Sequence, residues 1–348
     1  MKKTASLALL FFVSVAVFAQ NAIYTSHEFI DKQIKINYAL YKGGTVSLYV
    51  SVDGGTTFNG PLACLSGDAG CNIKPGPSRS MIWDAPAGYD QISPSLLQFK
   101  VLVRDFNDIS IPMVNVIGGT FTIGNKEHQT NNIPSDEVPV HTATVSDFSI
   151  SKYEITQEQW VTIMGSNPSF FLGDSLPVDN VSYSDVRQFV FKLSKITGKK
   201  YRMPTEAEWL YAARGGHKSQ GYKYSGSNNL DEVAWTKENS GKKTHEVGTK
   251  EPNELGIYDM TGNVMEWCYD NYGVYPSEDV INPTGPIKES LSTYKDGVWT
   301  IQEANKEPHY VMKGASWINS SKNCYLDKRH HSYINHRRYN FGVRIVME

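Results

Sequence analysis

Two different spacings of apolar residues divide this chain near residue 105. Before that point they alternate, as in residues 46–53 (VSLYVSVD) and 96–105 (LLQFKVLVRD), the period of a half-buried strand. Turn signals at Gly54-Gly55, Asn59-Gly60-Pro61 and Pro75-Gly76-Pro77 punctuate the alternation. Short strands at this spacing predict an all-β sandwich of immunoglobulin or fibronectin type over residues 21–105. Asp53-Gly54 and Gly67-Asp68 within it are read as hairpin chemistry rather than cation loops. Beyond a boundary at residues 106–112 (FNDISIP) the period changes. Over residues 184–197, Val186, Phe189, Val190, Leu193 and Ile196 recur at three- and four-residue steps, an amphipathic helix ended by Gly198. Two shorter helices open on capping boxes, Thr156 to Gln159 and Thr205 to Glu208, and stop at Gly165 and at Gly215-Gly216. Trp160, Ile163 and Met164 on one, and Trp209, Ala212 and Ala213 on the other, form core faces. Residues 113–348 therefore read as a turn-rich α+β domain that opens as strand, turn, strand at MVNVIGGTFTIG.

Residues 1–20 carry Lys2 and Lys3, an apolar run from Ala5 to Phe18 and then Ala19. That order predicts a secretory signal, and the run is too short to span a bilayer comfortably. The expected mature protein is exported, periplasmic or secreted, and not membrane-spanning; the first cysteine is Cys64, so no lipid anchor on an N-terminal cysteine is expected. A net charge of -2 gives no footprint for nucleic acid. The four cysteines of an exported chain suggest two disulfides. Cys64 with Cys71 and Cys268 with Cys324 is the favoured pairing; the second pair remaining reduced and reactive is the competing one. The 20 Tyr, 14 Phe and 7 Trp suit a loop-rich fold and equally suit carbohydrate or peptide contacts.

Three segments in fixed order carry a resemblance: YRMPTEAEWLYAARGG (201–216), NELGIYDMTGNVMEW (253–267), and KGASW (313–317) followed by FGVR (341–344). Together they resemble the formylglycine-generating enzyme, or sulfatase-modifying factor, family over roughly residues 112–348. The resemblance implies a loop-rich α+β fold of modified C-type-lectin type. It also implies calcium held by the Asp259 and Glu266 side chains and the Gly262 and Val264 carbonyls. The residues alone also allow a tight turn whose acids cap backbone amides.

Family enzymes use molecular oxygen and Cu(I) to oxidise a cysteine in sulfatase-type peptides, with copper on a C-x4-C pair. Here the stretch reads GASWINSSKNCYLDKR. Aligned from KGASW, Asn319 falls at the first family cysteine and Cys324 at the second; aligned from FGVR, even Cys324 loses its match. An amide cannot replace a thiolate for Cu(I). Two functions follow as expectations. One is a non-catalytic binding or scaffold protein whose protein, peptide or glycan ligand meets residues 317–340, through Trp317, Asn319, Arg337 and Tyr339. The other is a copper oxidase that uses Cys324 with Cys268 as a relocated pair. His330, His331 and His336 are read as part of a solvated basic loop. No G-x-S-x-G, H-E-x-x-H or P-loop motif supports hydrolysis or nucleotide chemistry.

Overall fold

The computed structural model describes residues 21–348 except 32, 63–64, 94, 106–108, 132–134, 286–290, 296–297 and 303–307. The expected signal segment and the Cys64–Cys71 pairing lie outside the described residues.

Alternation builds the first part of the chain. Its strands are β1 (Ala22–Ile30), β2 (Gln33–Leu40), β3 (Gly44–Ser51), β4 (Leu65–Gly67), β5 (Gly70–Ile73), β6 (Gly76–Trp83) and β7 (Gln98–Arg104). They form two all-antiparallel sheets, ordered β1-β2-β6-β4 and β5-β3-β7. Ile34, Ile36, Val46, Leu48, Trp83 and Phe99 meet in one core between them. The polar face of β3 is closed as well: Thr45, Ser47 and Ser51 are all buried. That face meets the second half of the chain, where Thr45 Oγ1 donates to the Thr162 carbonyl at 2.6 Å. Beside it Arg104 bridges to Asp174 at 3.2 Å and Glu158 at 3.8 Å.

The second part uses short elements. First come β8 (Met113–Val116), β9 (Gly119–Ile123), α1 (Lys126–Thr130), β10 (His141–Val145) and β11 (Phe148–Ser151). α2 (Gln157–Met164), α3 (Tyr183–Thr197), β12 (Tyr201–Arg202), α4 (Glu206–Ala213) and α5 (Leu230–Val233) follow. The chain then runs through β13 (Met265–Asn271), β14 (Val280–Ile281), β15 (Leu291–Lys295), β16 (Val298–Gln302), β17 (His309–Lys313), β18 (His330–Tyr333), β19 (Phe341–Gly342) and β20 (Val346–Met347). The sheets are ordered β14-β10-β9, β12-β20-β11-β8 and β18-β17-β13-β19, with β15-β16 as a separate hairpin. The opening strand, turn, strand unit does not close on itself: β8 pairs with β11, and β9 with β10.

The helices begin where the sequence places their caps. Thr156 and Thr205 each take an N3 amide while Gln159 and Glu208 return to the cap amide, and Gly165 ends α2 in the left-handed region at φ 88°. Ser182 and Asp185 form a third reciprocal box, so α3 starts one residue before the apolar pattern suggests. Trp160 of α2 stacks on Phe189 of α3 with ring centroids 4.8 Å apart. α4 is buried on every side rather than on one face, because it lies among β9, β10, β13 and β17.

Candidate ligand-binding cleft, thiols and buried carboxylates

A cleft of about 990 Å³ opens between the 318–341 segment and the ends of β13 and β17, with Met265 and Met312 among its lining. Three of the four residues expected to meet a ligand, Asn319, Arg337 and Tyr339, line it. Trp317 stands behind them. Its ring lies 5.6 Å from Tyr339 and 5.5 Å, edge-on, from Phe171, and its Nε1 donates to the Tyr339 carbonyl at 3.3 Å. Phe170, 67% exposed, forms the outer rim beside Tyr339. Asp179 holds this rim by accepting from the Phe170 amide at 2.7 Å and the Phe171 amide at 3.4 Å. Burial pushes its carboxyl up to about 7, against the pull of those two amides. Arg337 is clamped by Asp185 through two 2.6 Å bonds. Arg338 lines the cleft with no acidic partner among the described residues.

The other end of the cleft is polar, and here the expected solvated loop is a strand. His330 and His331 belong to β18, paired with β17. His330 is half-buried and held down to about 4, chiefly by desolvation; its Nε2 has no hydrogen-bond partner among the described residues. Arg329 is buried and clamps Glu206 with two 2.9 Å bonds. Tyr275 donates to the same carboxylate at 2.8 Å, and Arg329 lies 4.0 Å over the Tyr275 ring. Lys313 Nζ, fully buried, sits 3.9 Å from Glu206 and donates to the Lys328 carbonyl at 2.9 Å. Tyr272 donates to Asp136 at 2.7 Å and stacks on His331.

The thiols do not meet. Cys268 and Cys324 are both free, which corrects the expected Cys268–Cys324 disulfide. Cys268 belongs to the core around Trp209 and Val311, whereas Cys324 packs with Tyr224, Val233, Ala234 and Ala315. The Cys324 Sγ–H donates to the Ser320 carbonyl at 3.3 Å, and burial pushes its thiol up to about 12. Cys268 is raised well above its ordinary value, first by burial and then by Asp270. Neither sulfur is a thiolate near neutral pH. Asn319 accepts from Ser316 Oγ at 2.6 Å.

The carboxylates expected to bind a cation lie in a separate, fully buried cluster. Glu266 takes Arg344 Nε at 2.6 Å, Arg344 Nη2 at 2.8 Å and the Trp209 indole N–H at 2.5 Å. Asp259 accepts from the Gly248 amide at 2.7 Å. Glu154 takes the Asn263 side-chain amide at 2.6 Å and the Val264 amide at 3.0 Å. Burial, and then the charges of Asp259 and Glu266, push Glu154 well above the usual carboxylate range. Asp259 is pushed up to about 6, chiefly by burial.

The sulfatase-modifying factor enzyme 1-like domain family matches residues 102–348. The chain belongs to this family. Its relatives include chaperone protein LppX of Paenibacillus barcinonensis, 37% identical over 212 residues, 47% of this chain and 72% of that protein. The formylglycine-generating enzyme of Thermomonospora curvata is 25% identical over 275 residues, 59% of this chain and 88% of that one. The serine/threonine-protein kinase pkn1 of Chlamydia pneumoniae is 27% identical over 241 residues, 60% of this chain but only 36% of the kinase. Among solved structures, Treponema denticola variable protein 1 superposes with a TM-score of 0.59 at 26% identity, over 70% of this chain and 97% of that one. PvdO from Pseudomonas aeruginosa gives 0.52 at 27%, over 68% and 94%.

The metals associated with the sulfatase-modifying factor family fare poorly on these residues. Copper needs two thiolates converging on one point, and Cys268 and Cys324 are protonated thiols in separate cores. The calcium set of Asp259, Gly262, Val264 and Glu266 meets a different obstacle: a cation already faces Glu266, and it is Arg344. Among the described residues no group of three or more His, Cys, Asp or Glu side chains is arranged to hold a metal. Sequence reasoning missed Phe170, Asp179, Asp136, Tyr272 and His309. The Phe170-Phe171 pair in a Ser- and Gly-flanked loop is the one signal that marks the rim in advance.

Proposed function

We propose that this chain is an exported, non-catalytic binding protein whose ligand lies in the cleft beside residues 317–340. One observation carries this reading: where a family enzyme has its cysteine pair, Asn319 bonds to Ser316 and Cys324 is a lone protonated thiol. The cleft supports it as well. An aromatic rim of Phe170 and Tyr339 beside a wall carrying Arg337 and Arg338 offers stacking and charged hydrogen bonds to a peptide or glycan. A relative named as a chaperone accords with binding rather than oxidation. On this reading the N-terminal sheets are an immunoglobulin- or fibronectin-like module that positions the cleft domain.

The copper-oxidase reading through Cys268 and Cys324 has no geometric support, since it requires two buried side chains from different cores to come together. Anaerobic Cu(I) titration of the reduced protein against a competing chelator decides between the two. The binding-protein reading expects no tight one-to-one binding that depends on both Cys268 and Cys324. Such binding, lost in Cys268→Ser and in Cys324→Ser, reverses the conclusion. Screening peptide and glycan arrays with the wild type and with Tyr339→Ala then identifies the ligand; full retention of any hit in Tyr339→Ala places its site elsewhere.

A further inference from the structure

Two neighbouring strands bring a pair of imidazoles together beside the polar end of the cleft. His309 on β17 and His331 on β18 lie on neighbouring antiparallel strands. Their Nδ1 atoms are 2.6 Å apart, with the rings tilted 46° to one another. The contact is a short hydrogen bond in which one ring donates to the other, and a cation that replaced the shared proton would meet a nitrogen from each strand. Both rings are buttressed from outside the pair. Tyr272 stacks on His331 at a centroid distance of 3.9 Å, and Tyr333 packs edge-on against His309 at 4.0 Å.

The surrounding charge is mixed. Asp136 places negative charge near His331, and Arg329 places positive charge there, the latter matched by its clamp on Glu206. Burial lowers the proton affinity of both rings, and His309 adds to the effect on His331. A ring nitrogen binds a metal in its neutral form.

We propose that His309 and His331 form a two-imidazole site for a borderline divalent cation of the Zn²⁺, Cu²⁺ or Ni²⁺ class. Imidazole suits these ions, whereas Ca²⁺ and Mg²⁺ prefer oxygen. At metal–nitrogen bonds of about 2.0–2.1 Å, two adjacent ligands stand about 2.9–3.3 Å apart, so the rings need to part by less than about 1 Å. Two protein ligands leave further positions open, to be filled by water or by an oxygen of whatever occupies the cleft. His331 lines that cleft, so the ion lies where it can bridge protein and ligand. The site stands independently of the cleft's organic ligand and of the thiols.

Calorimetric titration of the tag-free full chain with Zn²⁺ near pH 7 tests this, run beside His309→Ala, His331→Ala and the Cys268→Ser/Cys324→Ser double variant. One-to-one binding in the wild type and in the cysteine variant, weakened by about 100-fold or more in each histidine variant, is the expected result. Absence of binding in the wild type, or binding that both histidine variants keep, overturns it. Should His331→Ala not fold once its stack on Tyr272 is lost, His309→Ala carries the test. Cu²⁺ electron paramagnetic resonance then reads the ligands directly: coupling to two imidazole nitrogens in the wild type and one in His309→Ala is expected. An unchanged spectrum refutes the pair.

Discussion

Arg344 is the residue on which the buried carboxylate cluster depends. Its guanidinium is fully buried, holds Glu266 with two bonds, and also donates to the Ser151 and Tyr258 carbonyls. Truncating one partner of such a pair leaves the other charge buried without an answer, at about 3–5 kcal/mol. Arg344→Ala is therefore expected to lower stability by that amount in urea unfolding, and the calcium chelator EGTA to leave the wild-type Tm unchanged. A calcium-dependent Tm would show that a second cation shares the cluster. Asp259 belongs to the same cluster and adds a pH dependence. Folded, it titrates near 6, against an ordinary value of 3.8, so between those values the folded chain binds a proton that the unfolded chain releases. Its contribution to stability rises as pH falls from above 6 towards 4, and above 6 it is a net cost. Asp259→Asn keeps an acceptor for Gly248, and is expected to gain up to about 3 kcal/mol at neutral pH. That gain should fade by about pH 4; a pH-independent difference would assign the effect to something other than ionisation.

Helix starts were legible because a capping box is a local code, written within four residues. Thr156–Gln159 and Thr205–Glu208 both appear as read. Thr205→Ala is expected to cost about 1 kcal/mol, and more if Glu208 also loosens its 2.7 Å bonds to Arg202. Comparing Thr205→Ala with Thr205→Ser in thermal melts tests the cap, since serine restores the hydroxyl. The histidines of β18 were misread for the opposite reason. Nothing within KRHHSYINHRR shows that β17 lies alongside, and strand pairing over a gap of some twenty residues is decided by packing. The Cys268–Cys324 pairing failed on the same ground, because cysteine count and compartment suggest disulfides but only distance selects partners. The aromatic rim was half legible: Tyr339 and Trp317 lie in the recognised segment, whereas Phe170 and Asp179 join them from well over a hundred residues away.

At the scale of the whole molecule, the two halves are joined by a face that looked solvated in the alternation of β3. Thr45 is fully buried against α2. A charge placed there would be desolvated without a partner. Thr45→Lys is expected to turn a single calorimetric transition into two, one for the N-terminal sheets and one for the cleft domain. Two transitions already in the wild type would mean that the contact does not couple them.

A timing constraint follows from β20. Val346–Met347 lies inside its sheet, flanked by β12 on one side and β11 on the other, while Arg344 just before it neutralises Glu266. The β11 pairing reaches back nearly two hundred residues, among the longest loops closed by the described residues, and the Arg344–Glu266 pair reaches back 78. A chain emerging in vectorial order can complete its N-terminal sheets early. Its second half must wait, holding an unfilled gap between two strands and a buried acid without its countercharge, until the last stretch arrives. During that interval the nascent protein exposes sheet edges that other chains could pair with, and this is the period in which a chaperone would have most to do.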